Sequence, residues 1–480
     1  MQQAVDFILK IAKLGARLFL RHHILCMSDA LIDPLNPLCW LSALDSQHFP
    51  VLLDSCLPGA PFGRYSVVAA MPRRYFVVTT LQALEEWERQ ADGSYRLTNI
   101  QRGSVIAALS AIQSRVALPT KPNGGFNGGL IGLLNYDLGQ LQQGVPLQDH
   151  RRQTLSRVID MPLAWVGDYD HAVVIDHQEQ RVLYIGDAAQ WQPTLPPTDV
   201  AMASGTVVHT SLDQHQYEQR MQRLKDYIAA GDCYQVNLTR QFDAPWPNAP
   251  LATYARLRNA TPMPFSAYLD LGNTQLLSLS PERFLRIADG HMETKPIKGT
   301  RPRSPDPKED EALKQSLLQS TKDRAENLMI VDLLRNDLGR SAVPGSVKVP
   351  KLFDLESFAN VHQLVSTVTA TLSPGETPLG ALLKAFPGGS ITGAPKRRAM
   401  EIIAELEPHQ RGPYCGSIFY QDVTGLLDSN ILIRTMAIQD NHLWTWAGGG
   451  IVWDSETAAE FEETHDKIRS LLASLGLALP

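Results

Sequence analysis

At 480 residues the chain exceeds one ordinary domain and can bury a large core only by splitting or by layering sheets. Hydrophobic residues make up 44% and charged residues 20%, the balance of a soluble globular protein, and a formal charge of −6 gives no general attraction to nucleic acid. Five cysteines (Cys26, Cys39, Cys56, Cys233 and Cys415) without CxxC spacing argue against a zinc site or a disulfide framework, and for a reducing, cytoplasmic setting.

Residues 1–26 form a separate extension. Lys10, Lys13, Arg17 and Arg21 recur at helical spacing, but Arg21, His22 and His23 interrupt the apolar run, which is too short and too charged for a signal or membrane helix. The expectation is a frayed extension upstream of an alternative start at Met27, with a basic surface helix as the other reading. Residues 27–205 form an N-terminal region of short alternating runs, with strands predicted at 65–70, 74–79 and 172–175. Three prolines in 186–207 predict a linker or surface loop. In the second region, 206–480, a helix is predicted at 212–230, strands at 234–242, 265–271 and 275–279, and helix through 307–338. This irregular mixture indicates an α+β fold and not a regular βαβ sheet.

Residues 292–303 place Lys298 between apolar Ile297 and the turn formers Gly299 and Thr300. Alone, such a lysine reads as a solvated strand end. Glu326 shares a helical stripe with Ile330 and Leu333, so its carboxylate needs a partner. Either a hard cation such as Mg²⁺ or an arginine, Arg335 or Arg340, can serve. Gly388–Lys396 lacks the phosphate-loop spacing, since Gly393 is followed by Ala394 and Pro395 before Lys396. Its glycine amides and the helix beginning at Pro395 could instead hold a carboxylate. Glu460 and Glu463 lie about 60° apart on a helix that Thr457 and Glu460 could open as a capping box.

Five ordered segments carry a resemblance. They are Ser-Pro-Glu282-Arg-Phe, Pro-Ile-Lys298-Gly-Thr, the run from Asp323 to Asp337, Gly388-Gly-Ser-Ile-Thr-Gly-Ala-Pro-Lys396 and Ala447-Gly-Gly-Gly-Ile-Val452. Together they resemble the chorismate-utilising enzymes over residues 30–473. The resemblance implies layered antiparallel sheets with helices packed outside, and amination of chorismate to 4-amino-4-deoxychorismate in 4-aminobenzoate and folate synthesis. It implies Lys298 as the nucleophile that adds to ring C2 and Glu282 as the acid that protonates the departing 4-hydroxyl. A neutral Lys298 would be needed, and Arg301 is the neighbour expected to favour one. Gly299, Thr300, His362, Tyr414, Arg434, Gly448, Gly449 and Gly450 match chorismate-binding positions, with His362 also readable as a satisfied core histidine. Glu326, Glu460 and Glu463 match ligands of Mg²⁺.

Within the family, lysine at 298 with glutamine at 235 is the aminating pattern; anthranilate-forming relatives, the alternative, carry alanine at 298. The chain shows no Gly-x-Cys-x-Gly glutaminase turn, so ammonia is expected from a separate glutamine amidotransferase subunit. Ser55, Phe62, Gly63, Arg64, Tyr65, Pro264, Phe265 and Ser266 match positions that hold a buried L-tryptophan in relatives, although Asp54 stands where a glutamate is common. No membrane and no nucleic acid partner is expected.

Overall fold

Alternate residues along the central strands send their side chains into two different cores, and this sets the layering. Val51, Val67 and Leu269 pack between two sheets, whereas their neighbours Leu52, Val68 and Tyr268 pack under outer helices. The computed structural model describes residues 32–56, 63–147, 159–197, 200–203, 205–357 and 361–480; the expectation for residues 1–26 lies outside them.

One sheet of 11 strands runs from His209–Thr210 through Gln235–Pro245, His442–Ile451, Thr435–Gln439, Thr274–Ser280, Phe265–Asp270, Val51–Asp54 and Tyr65–Ala69 to Ala172–Asp176 and Arg181–Ile185, with Gly393–Ala394 paired to the side. The other, of 12 strands, begins at Ile297–Pro302 and Val361–Thr371 and ends at Ala83–Arg89 and Tyr95–Arg102. The pairings within both sheets are antiparallel. Helices Pro250–Ala260 and Thr457–Ser474 cover the outer face of the first sheet, and Gln214–Ala229 and Lys396–Leu406 cover its end at Val236 and Leu238. The layered α+β arrangement is as expected.

Several details differ from the sequence reading. Both sheets take strands from either side of residue 205, so the boundary there divides chain order and not the core. The stretch 307–338 is two helices, Pro307–Gln319 and Thr321–Gly339, because Ser320 leaves helical geometry and caps the second by accepting from the Asp323 amide. Within 186–207 the loop is interrupted by the 3₁₀ turn Gly186–Gln190 and by Thr206–Val207, which pairs with Leu477–Ala478. Helix Gln214–Ala229 does open with a capping box, through Asp213 and Gln216.

The Gly388–Lys396 segment is structural. Gly393 pairs with Val236 as a strand, and a Cβ there would come 2.2 Å from the Gln235 carbonyl oxygen. Lys396 is buried, with Nζ 2.7 Å from Asp337 and donating to the Ala385 carbonyl at 2.9 Å. Removing one member of such a pair strands the other charge in the core. Lys396→Ala should therefore destabilise the fold by about 3–5 kcal/mol, whereas Lys396→Met with Asp337→Leu should be nearly neutral. Urea unfolding of the three proteins checks this.

Candidate active site

The strand Ile297–Pro302 carries the lysine, and its pairing is irregular where it matters. Ile297 faces Val365 but Thr300 faces Gln363, so one extra residue bulges out between them. Gly299 takes a φ of +82°, and a Cβ there would come within 3 Å of Leu317 and Asp323. Such bulges re-aim side chains beside active sites. Here Lys298 lines an open cavity of about 1330 Å³ together with Gly299, Thr300, Glu326, Arg434, Gly450, Glu460 and Glu463.

Glu282 ends a strand-to-strand turn next to this wall and is 9% exposed. Burial pushes its carboxyl up to about 7, against the charge of Lys298 and a hydrogen bond with Ser390. It can therefore hold a proton near neutral pH, the condition for a general acid. Glu326 projects from Thr321–Gly339. Burial raises it, Lys298 and then Lys322 oppose the shift, and Glu463 adds to it. The arginines proposed as its partners are engaged elsewhere: Arg335 pairs with Asp332 at 3.0 Å, and Arg340 donates to the Lys384 carbonyl at 3.4 Å. Lys322 stands 4.0 Å from Glu326 instead.

The C-terminal helix Thr457–Ser474 brings Glu460 and Glu463 over the glycine strand His442–Ile451. The expected capping box is absent; Glu460 accepts from Ser455 Oγ at 2.7 Å, and burial followed by this bond and by Glu463 determines its raised pKa. Glycine at 449 is what permits the approach, since a Cβ there would lie 2.8 Å from Glu460 Oε2. Lys467 bridges Glu463 at 2.6 Å and the Gly448 carbonyl at 2.7 Å. The strand Thr435–Gln439 pairs with its neighbour only as far as Thr445, so residues 446–451 have Gln235–Pro245 on one side only.

Arg434 sits in the cavity wall in left-handed backbone geometry, φ 50°. Burial lowers its pKa, and among the described residues its guanidinium pairs with no carboxylate; its recorded contact is with Met263 Sδ at 3.5 Å. A half-buried fork of this kind without a carboxylate partner suits an anion. Arg301, expected to act on Lys298, is turned to Asp323 at 3.0 Å.

Other expected positions stand apart. His362 is fully buried, with its ring nitrogens 2.8 Å from Ser357 Oγ and 2.9 Å from Asp310, so it is the satisfied core histidine. Tyr414 is buried between the sheets, stacked on Trp446 at 6.2 Å, and does not line the cavity. Gly448 and Gly449 shape the strand without lining it. Gln235 is buried against Gly450. Several of the tryptophan positions have partners within the protein. Ser55 spends its amide on Ser66 and its hydroxyl on the Tyr65 carbonyl, and Arg64 pairs with Asp176. Gly63 is buried and Ser266 Oγ donates to the Met263 carbonyl, while Pro264 and Phe265 line the Lys298 cavity. Phe62 lies outside the described residues. Asp54 is held by Arg258 and Tyr254.

Lys322 and Lys467 were missed by the sequence reading. Their signal was the spacing of four residues from Glu326 and Glu463, which places them on the same helix faces.

Among the described residues no three histidine, cysteine, aspartate or glutamate side chains stand close enough to enclose an ion. Mg²⁺, however, seldom takes an all-protein cage; one or two carboxylates opening on a ligand cavity suit it. Glu326 and Glu463 are such a pair, hard oxygen donors that sense each other's charge.

The fold and the cavity define an enzyme that handles a small anionic substrate. Residues 75–473 match the family described as chorismate binding enzyme. The chain is 42% identical over 446 residues to the aminodeoxychorismate synthase component 1 of Klebsiella aerogenes, covering 91% of this chain and 96% of that one. It is 35% identical to the anthranilate synthase component 1 of Thermus thermophilus, covering 92% and 95%. The crystal structure of anthranilate synthase component I from Streptococcus pneumoniae superposes with a TM-score of 0.72 at 29% identity, covering 86% of this chain and 93% of that one. The chain belongs to the chorismate binding enzyme family. No helix of the described residues is long and apolar enough to cross a membrane.

Gly449→Ala should leave the melting temperature nearly unchanged, because the methyl meets a movable carboxylate end, yet lower turnover by at least about tenfold through displacement of Glu460. Thermal melts and steady-state rates on the same preparation separate the two.

Proposed function

We propose that the chain replaces the 4-hydroxyl of chorismate by an amine, giving 4-amino-4-deoxychorismate for 4-aminobenzoate and folate synthesis. The observation that carries this is Lys298 bulged into a cavity beside a carboxyl poised near neutral pH. Hydroxide leaves poorly, so the reaction needs both a nucleophile at C2 and an acid for the leaving oxygen. The Lys298 amine bonds to C2, the ring double bond shifts, and the C4–O bond breaks as Glu282 gives its proton to the departing oxygen, which leaves as water. The adduct nitrogen keeps its proton as a secondary ammonium, so that it can later leave as a neutral amine. Ammonia then bonds to C4, the double bond shifts back, and the C2–N bond breaks to restore Lys298, while the proton lost by the new ammonium returns to Glu282. Arg434 holds a substrate carboxylate, with Gly299, Thr300 and Gly450 forming the backbone floor.

A dianion facing three carboxylates needs positive charge between them. Glu326 and Glu463, with Glu460 behind, would hold Mg²⁺, which supplies that charge to the ring carboxylate. Ammonia comes from a separate glutamine amidotransferase subunit, in keeping with relatives named as component 1 of their enzymes.

Lys298→Ala should bind chorismate but form aminodeoxychorismate roughly two to four orders of magnitude more slowly, and intact mass should show a chorismate-derived adduct on the wild type and none on the mutant. A wild-type rate in the mutant sinks the covalent role. Anthranilate among the wild-type products would instead favour the pyruvate-eliminating reading.

The limb of adduct formation that Glu282 sets in single turnovers should fall as pH rises through about 7, since Glu282 acts only while protonated. Glu282→Gln should be slow throughout and lose this limb. The isolated chain should use ammonium salts and not glutamine; ammonia-free turnover of glutamine by the pure chain contradicts the two-subunit reading.

A further inference from the structure

Behind the carboxylate helix, on the face of the first sheet away from the cavity, lies a charge that the chemistry above does not use. Arg240 is 1% exposed, in the middle of the strand Gln235–Pro245, and among the described residues it has no carboxylate within ion-pair distance. Burying an unpaired guanidinium is costly, and an apolar residue of similar size would suit most such positions as well or better. Burial indeed lowers its pKa to about 10, which still leaves it charged at neutral pH.

What holds the charge is the turn of helix that carries the acidic residues. Arg240 Nε donates to the Leu212 carbonyl at 2.9 Å. Both hydrogens of Nη1 go to the C-terminal helix, to Thr464 Oγ1 at 2.9 Å and to His465 Nε2 at 2.8 Å. Since arginine can only donate, the histidine must accept at Nε2 and is neutral; its Nδ1 is then the donor facing Glu462 at 3.4 Å. The guanidinium also lies 4.1 Å over the Phe461 ring and 4.9 Å over that of Phe242. Residues 461, 464 and 465 form one side of the helical turn whose other side presents Glu460 and Glu463.

The sheet end of this clamp is equally fixed. Arg240 is the direct cross-strand partner of Ala447, two rungs from the pair Leu238↔Gly449. Lys467 ties the same turn to the Gly448 carbonyl from the cavity side. The acidic turn is thus gripped from both faces and referenced to the glycine strand beneath it.

We infer that Arg240 is a positioning residue. Its fork sets the height and rotation of the 460–465 turn over Gly449, and so the placement of the Glu463 carboxylate opposite Glu326. This rests on the proposed role of Glu326 and Glu463 as ligands of a divalent cation. The neighbouring turn is where tolerance is smallest, because Glu460 Oε2 already stands at contact distance from the position of a Gly449 Cβ.

The test titrates the full chain with Mn²⁺ in the presence of chorismate, following the free ion by EPR, and records thermal melts of the same samples. Arg240→Met keeps the bulk and removes the fork and the charge. The expected result is an unchanged or higher Tm with Mn²⁺ affinity reduced roughly 10- to 100-fold, the scale for losing a group that orients a ligand. Folded Arg240→Met that binds Mn²⁺ like the wild type overturns the inference. If Arg240→Met does not fold, Thr464→Val decides: weaker Mn²⁺ binding by several-fold at unchanged Tm supports the clamp, and wild-type affinity overturns it. A wild type that binds no Mn²⁺ fails the cation reading itself, and Arg240 falls with it.

Discussion

Ten consecutive antiparallel pairs join Gln235–Pro245 to His442–Ile451, and the rest of the site depends on this ladder. It places three successive glycines at the point where neighbouring pairing stops on one side. Without side chains there, a helix can lie close against the strand and present carboxylates at van der Waals distance from backbone. The same ladder carries Arg240 and Leu238 on the helix side and Gln235 and Asn237 on the cavity side, because side chains alternate. One strand pairing therefore fixes the acidic helix, the floor of the cavity and the polar wall beside Gly450 in a single frame. The lysine belongs to the other sheet, so the distance across the site is set by the packing of the two sheets on their shared apolar core.

The cavity is arranged as two unequal electrostatic halves. On the wall, charges that have no chemical task are neutralised locally: Arg301 by Asp323, Lys295 by Glu356 and Arg283 by Asp428. Those that remain are the ones the proposed reaction calls on. Lys298 and Arg434 make no ion pair among the described residues, and burial works against the charged forms of Glu282, Glu326, Glu460 and Arg434 alike. The acidic half has Lys322 and Lys467 as attendants, each one helical turn from the carboxylate it neutralises. Such internal counter-ions lower the mutual repulsion of three carboxylates held in one site.

Much of this was legible in the sequence. Strand periodicity located the central strands to within one to three residues, and the ordered motifs with the family positions beyond them carried Lys298, Glu282, Glu326, Glu463 and Arg434 to what proves to be one cavity wall or its edge. What sequence could not reveal was what each side chain faces. His362 and Tyr414 match family positions just as well, but strand alternation and the packing between the sheets turn them into the protein, where Asp310 and Trp446 occupy them. The break at Ser320 was hidden because a capping serine inside an otherwise helical stretch looks like any other polar surface position. Asp54 likewise takes Arg258 and Tyr254 as partners, a pairing across some 200 residues that spacing alone does not show.

The bulge at Lys298 shows how a small departure from regularity produces a functional group. In an unbroken ladder residues 298 and 299 would each face a partner on Val361–Thr371, and alternation alone would decide where the lysine pointed. The extra residue frees it from that rule, and glycine at 299 accepts the left-handed backbone that results, in a space already filled by Leu317 and Asp323. Asp323 in turn engages Arg301, drawing the nearest arginine away from the amine. The lysine is left facing the buried Glu282 and the half-buried Glu326, the first of which is poised to exchange a proton near neutral pH. Glu282 and Lys298 stand 16 positions apart in the chain, and the bulge at the far end of that stretch is what aims the lysine into the cavity that Glu282 adjoins.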